Sequence, residues 1–314
     1  MRTWLALAAT AVMALGVVAC GSDDKESDSG GGGGGGDLSG NIRIDGSSTV
    51  QPFAQAAAEL FMTENEGVKI TVGGAGTGDG FERFCRGETQ ISDASRPIEE
   101  EEITACKKEG IDYEEVQVAS DGITVFTNPG LEVKCLTTAQ LKKLFAPKSE
   151  VANLSEVDPK LPDAELALYS PGAESGTYDF FTEQINGEEG VQRAKGIQTS
   201  ADDNVIVTGV SGEEGGLGYA GYSFYEQNQD KLSAVSVDGG SGCVEPTSET
   251  IQSGEYEPLS RPIFMYPSAK ALKQPEVKAF MEFTLENHQK ISEAANIVPM
   301  SEEQATESKG KISG

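Results

Sequence analysis

The sequence predicts an α/β protein with a largely parallel sheet, on three observations. Short β-rich runs alternate with runs whose apolar residues recur at helical spacing, the pattern of repeated strand-turn-helix units. Several strand ends pass directly into turns of Gly, Ser and Thr, most of them opening a helix. Roughly 270 residues follow an N-terminal leader and tether, enough for one large domain or two smaller lobes with their own cores.

In chain order, residues 1–19 carry Arg2, an apolar run over 4–18 and the small Ala19 directly before Cys20. The apolar run is too short to cross a bilayer as a folded helix, so the segment reads as an export leader. Val17-Val18-Ala19-Cys20 resembles a lipoprotein cleavage box, which makes Cys20 the expected acylated residue and anchors the chain to the outer face of the cell membrane, periplasmic or extracellular. Residues 20–37 are acidic and polar and include an unbroken glycine run over 30–36. They offer no apolar surface to offset ordering entropy, and a flexible tether is expected. The glycines are not a phosphate-binding loop, because no strand precedes them and no Lys-Ser/Thr follows.

Strands are expected over 41–45, 68–72, 114–119, 123–127, 165–169, 232–237 and 262–266. Val50, Phe53, Ala54, Ala57, Leu60 and Phe61 recur at helical spacing. Further helices are expected through Phe81 and Phe84, from the Glu-rich start at 99–102, and over 138–145, 177–185 and 276–288. Asp202-Asp203-Asn204 reads as a helix cap, with Asn204 a candidate binding residue. The Gly- and Tyr-rich stretch 215–222 reads as close packing of backbone segments.

Lys and Arg total 24 against 51 Asp and Glu, a formal net charge of −27. Nucleic acid is excluded as a partner, since that interaction rests on clustered cations neutralising phosphates. The carboxylates read as a solvated surface. Beyond the leader stand Cys85, Cys106, Cys135 and Cys243, an even number in an oxidising compartment, which implies two disulfides with three pairings open. No metal site is expected: no two cysteines have ligand spacing, and His288 is the only histidine.

Four turns carry the chemistry: Gly46-Ser47-Ser48-Thr49, Gly73-Gly74-Ala75-Gly76-Thr77-Gly78, Ser92-Asp93-Ala94-Ser95-Arg96 and Gly172-Ala173-Glu174-Ser175-Gly176-Thr177. Unpaired N–H groups at a helix start point at an anion, the helix dipole favours negative charge, and hydroxyls add neutral donors. Converging turns of this kind make an oxyanion cage that works inside an acidic protein. Any one turn alone could be an ordinary N-cap.

At these turns the sequence resembles the phosphate-binding proteins of bacterial high-affinity phosphate ABC transporters. The resemblance runs from Asn41 to about Val298 and rests on Gly-Ser-Ser-Thr-Val-Gln-Pro, Gly-Ala-Gly-Thr-Gly, Ser-Asp-Ala-Ser-Arg-Pro and Glu-Ser-Gly-Thr in the family's order. It implies a type II periplasmic-binding fold: two α/β lobes, 38–125 with 263–314 and 126–262, joined by hinge segments near 122–128 and 259–266. Each lobe then holds one disulfide, Cys85 with Cys106 and Cys135 with Cys243.

Carried over by position, Ser48, Thr49, Thr77, Gly78 and Ser95 are the expected donors of the first lobe, and Arg96 supplies the positive charge. Ser175, Gly176 and Thr177 close the cage from the second. Where some members carry an Arg before Ser-Gly-Thr, this chain has Pro171 and Gly172, and Arg96 is the expected substitute. The carboxylate that accepts the phosphate proton, and so rejects fully ionised sulfate, is Asp93 or Glu174. The implied partners are inorganic phosphate and a membrane permease, the chain acting as a monomer without a cofactor. Another oxyanion, sulfate or molybdate, is the competing ligand. A phosphate-ester hydrolase is disfavoured because His288, expected on a helix surface, lies far along the chain from every Ser-rich turn.

Overall fold

The computed structural model describes residues 38–173 and 175–313; the leader, Cys20, the glycine tether and Glu174 lie outside the described residues. The chain opens with β1 (Gly40–Gly46), α1 (Gln51–Glu64), β2 (Val68–Val72), α2 (Thr77–Cys85), β3 (Ile91–Ala94) and α3 (Glu100–Glu109). β1 pairs in parallel with both β2 and β3, so these three strands end on the same edge. α1 covers one face because Phe53, Ala54, Ala57, Ala58 and Phe61 fall on one side of it. α3 stops at Gly110, whose φ of 70° suits a residue without a Cβ.

β4 (Val116–Thr127) then leaves the sheet as one unbroken, mostly buried strand where two were expected. Beyond it come β5 (Cys135–Thr137), α4 (Thr138–Phe145), β6 (Ala167–Pro171), α5 (Gly176–Phe181), β7 (Ile197–Ser200) and α6 (Asp203–Gly212). β8 (Gly216–Gly221), α7 (Tyr222–Glu226), β9 (Ser233–Asp238), β10 (Cys243–Val244) and α8 (Ser248–Ser253) follow. β11 (Ser260–Pro267) returns the chain, and α9 (Pro275–Glu286), α10 (His288–Ala295) and α11 (Glu302–Ile312) pack back on the first sheet.

β4 therefore passes from one sheet to another, and β11 brings the chain back beside its first half. β4 pairs with β11 up to Gly122, opposite Ser260, and from Ile123 onward it pairs with β8 and β9. The expectation of a largely parallel sheet holds at β1–β2, β1–β3, β6–β7, β6–β8 and β5–β9 and fails around the crossing. β11 runs antiparallel to β3 and β4, and β4 runs antiparallel to β8 and β9. A chain that goes out along one strand and comes home along its neighbour must reverse direction between them.

Apolar side chains divide in the same way. Ile42, Phe53, Phe61, Val118, Ile263 and Phe280 belong to one core, and Ile123, Leu144, Phe181, Tyr219, Val235 and Tyr256 to another. The unit Asp37–Gly314 contains both cores and both disulfides, which makes it a self-contained folding unit. The pairing is Cys85–Cys106, tying α2 to α3, and Cys135–Cys243, tying β5 to β10 across β9. The glycines of 215–222 do permit close packing: a Cβ on Gly215 would lie 1.7 Å from the Glu165 carbonyl oxygen. They also form a strand, β8, which the sequence did not signal because glycine lacks β propensity.

His288 is not the surface residue expected. Asn287 breaks the long C-terminal helix, and His288 opens α10 with 5 % of its surface exposed. Among the described residues no helix is long and apolar enough to cross a membrane.

Candidate anion-binding cleft

A cleft of about 720 Å³ lies against the crossing strands. Ser48, Thr49, Thr77, Gly78, Ser95, Arg96 and Gly176, drawn from all four expected turns, line it. Parallel pairing of β1, β2 and β3 brings the first three turns to one edge, where hydrogen bonds tie them together. The Gly76 amide donates to the Gly46 carbonyl at 2.8 Å and the Ser47 amide to the Asp93 carbonyl at 2.9 Å. The hydroxyls of Thr77 and Ser95 lie 3.1 Å apart, and the Ser95 amide donates to Thr77 Oγ1 at 3.3 Å. Asp45 braces the set from behind, accepting from the Gly46 and Ala75 amides and pairing with Arg83.

The choice between helix cap and binding turn divides turn by turn. Neither α1 nor α2 has a side-chain cap: α1 follows Val50 and α2 follows Gly76, whose φ of 104° is open to glycine. The first residues of α2, Thr77, Gly78 and Asp79, line the cleft with uncapped N–H groups. α1 begins one step behind the lining turn Ser47–Thr49, its Gln51 amide donating to the Ser47 carbonyl at 3.0 Å and Pro52 having no N–H. Ser175 does act as a cap, its hydroxyl accepting from the Thr177 amide at 3.2 Å. Ser175 and Thr177 stand beside the cleft without being among its lining residues, whereas Gly176 faces it. A Cβ on Gly176 would come within 2.5 Å of Thr49 Oγ1, so glycine lets α5 touch the first turn directly.

Arg96 lines the cleft, but its guanidinium is committed. Nη1 and Nη2 donate to the two carboxylate oxygens of Glu102 at 2.9 and 2.8 Å, and Nε faces Glu99 at 3.2 Å. The Glu102 pairing outweighs burial and raises its pKa above the ordinary guanidinium value. The cation that meets the turns is Arg261 of β11, which the sequence reading missed. Its Nη2 donates to Thr49 Oγ1 at 2.8 Å, its Nε pairs with Asp121 at 3.2 Å, and the Phe180 ring lies 3.7 Å from its guanidinium carbon. Burial pulls its pKa down, and Asp121 opposes that. Ser-Arg-Pro on a strand has no local signature of a ligand, since its meaning comes from a crossing that brings residue 261 to residue 49.

Asp93 is fully buried and does not line the cleft; neither carboxylate oxygen has a hydrogen-bond partner among the described residues. Desolvation, with Asp45 adding repulsion, pushes its pKa well above the carboxylate range. Asp179 does line the cleft, on the first turn of α5, and its pKa is raised by burial and by Glu189 and lowered by Arg261. Asp202 caps α6 as expected, accepting from the Asn204 amide at 3.0 Å. Asn204, however, is exposed and outside the cleft lining; α6 follows β7, the edge strand of its sheet. No group of three or more His, Cys, Asp and Glu side chains is placed to hold a metal ion among the described residues.

Residues 31–288 match the family model of the PBP superfamily domain. The chain is 43% identical over 262 residues to protein SphX of Synechococcus elongatus, covering 82% of this chain and 77% of that one. It is 40% identical over 316 residues to the phosphate-binding protein PstS of Staphylococcus saprophyticus, covering 99% and 95%. Among solved structures, a chain from Planctomyces limnophilus described as a possible phosphate binding protein is 43% identical with a TM-score of 0.83, covering 88% of this chain and 98% of that one. A Clostridium perfringens structure with bound phosphate is 30% identical with a TM-score of 0.56, covering 83% and 100%. With two lobes crossed by β4 and β11 and these matches over nearly its whole length, the chain belongs to the PBP superfamily, in the company of the PstS and SphX proteins.

Proposed function

We propose that this protein binds inorganic phosphate in the cleft between its lobes, outside the cell membrane, and delivers it to the permease of a phosphate ABC transporter. The observation that carries this reading is the convergence on one cleft of the uncapped start of α2, the Ser47–Thr49 turn, the Thr49, Thr77 and Ser95 hydroxyls, and the Arg261 guanidinium. Relatives named as phosphate-binding proteins, and one structure solved with phosphate, support it.

In this reading Ser48, Thr49, Thr77, Gly78 and Ser95 donate from the first lobe, residues 38–125 with 263–314. Ser175, Gly176 and Thr177 close from the second, residues 126–262. The charge assigned to Arg96 passes to Arg261: both Nη groups of Arg96 are taken by Glu102, whereas Arg261 pairs with Asp121 through Nε alone and turns its Nη groups to Thr49 and the cleft. The proton-accepting carboxylate is Asp179 rather than the buried Asp93. It faces the cleft near Arg261, and burial makes it a better acceptor for a phosphate O–H. Closure about the crossing strands shrinks a cleft much larger than one oxyanion, and the permease supplies the energy of transport. The protein turns nothing over. It is a monomer held at the outer face of the cell membrane through Cys20.

Isothermal titration of Asp37–Gly314, stripped of ligand, with phosphate and then sulfate tests this. Tight one-to-one phosphate binding with sulfate ignored is expected, and Asp179→Asn should let sulfate compete. Absence of phosphate binding, or preference for sulfate, overturns the reading.

A further inference from the structure

Phe180 belongs to the core of the second lobe, yet its ring lies against a guanidinium carried by a crossing strand. Arg261 stands directly opposite Asp121 in the β4–β11 register, where the chain passes between lobes. Three contacts hold it: Asp121 on Nε across the hinge, Thr49 on Nη2 from the first lobe, and the Phe180 ring on the guanidinium plane from the second. Nη1 makes no hydrogen bond among the described residues, and Arg261 lines the cleft.

A guanidinium is planar, so a ring against its plane leaves its edge-on donors free while attracting the charge through the ring quadrupole. An aliphatic side chain of similar volume fills the space without that attraction. The hydroxyl of Thr49 and the ring of Phe180 come from different lobes, so both hold Arg261 only when the lobes are drawn together at this corner.

We propose that Phe180 is a positioning residue that couples lobe closure to anion capture: seating its ring on Arg261 orients the guanidinium toward Thr49 and the bound anion. This rests on the phosphate reading and adds to it a residue of the cleft wall that acts through Arg261.

Phosphate titrations of Asp37–Gly314 carrying Phe180→Leu, Phe180→Tyr, Arg261→Gln and the double change Arg261→Gln with Phe180→Leu test it. Phe180→Leu should weaken phosphate binding roughly 5- to 30-fold. Phe180→Tyr should restore it, and Phe180→Leu should cost nothing further once Arg261 is Gln. Phe180→Met, also without a ring, replaces the leucine variant if that chain unfolds. Equal losses for the leucine and tyrosine variants, or a loss that simply adds to that of Arg261→Gln, overturn the proposal and leave Phe180 a space-filling residue. Unchanged affinity in Phe180→Leu with lost affinity in Arg261→Gln overturns it while sparing the phosphate reading. If the unaltered protein does not bind phosphate, both fall together.

Discussion

Thr49, Arg261 and Gly176 meet where the lobes touch, and each responds to a different substitution. Arg261→Gln removes a charge-assisted donor and should cost about 1.5–3 kcal/mol of phosphate affinity by titration. Arg96→Ala should cost less, because Glu102 and Glu99 already hold that guanidinium. Finding the larger loss at Arg96 would return the charge to the residue the motif suggests. Gly176→Ala places a Cβ 2.5 Å from Thr49 Oγ1, so the lobes must part or strain. A loss of about 1–3 kcal/mol in affinity is expected, with little change in the unfolding of the unliganded protein. The turn residues were legible because Gly, Ser and Thr before a helix have a local chemical meaning. Arg261 and Asp179 were not, since neither residue type nor spacing tells which strand or helix will face the cleft.

At the level of elements, α2 and α3 start at or near the site turns of Thr77 and Arg96, and the Cys85–Cys106 bond joins them 21 residues apart. Converting both cysteines to alanine should lower unfolding free energy by about 3 kcal/mol through the freed loop, measured by denaturant titration of the oxidised and altered chains. Little change would show that the α2–α3 packing suffices. The helices were legible where one face is apolar, as in α1, and where a strand is rich in branched residues, as in β2. β8 was not, because its glycines serve approach to neighbouring backbone rather than propensity. The fusion of two expected strands into β4 also escaped a local reading: residues 120–122 continue the strand only because β11 pairs with them. The expected helix over 276–288 broke at Asn287, where the backbone leaves helical geometry at φ −106° and ψ 16°.

For the whole molecule, one contribution to the pH response comes from a single imidazole, beside those of the partly or fully buried carboxylates. Burial lowers the pKa of His288 below its ordinary 6.5, with Glu302 opposing and Lys309 reinforcing. The unfolded chain therefore takes up the proton first as pH falls, so stability declines as pH drops through about 6.5 and is complete above it. Comparing thermal unfolding of the natural chain and His288→Gln between pH 7.5 and about 5 should show a shallower acid decline in the variant. Parallel curves would place the acid sensitivity in the carboxylates. His288 is the only histidine in the chain, so its titration can be followed by resonance without ambiguity.

The alternation of strands and helices and the Gly, Ser and Thr turns at strand ends were readable from local composition alone, because each is set by residues adjacent in the chain. The disulfide pairing and the family were legible once the motifs were taken in order. Tertiary structure alone decided that the crossing strands are antiparallel, that Arg96 is neutralised by Glu102, and that Arg261 meets Thr49 from 212 residues away. Those outcomes depend on which distant segments become neighbours, and a contact set by topology leaves no mark in the residues beside it.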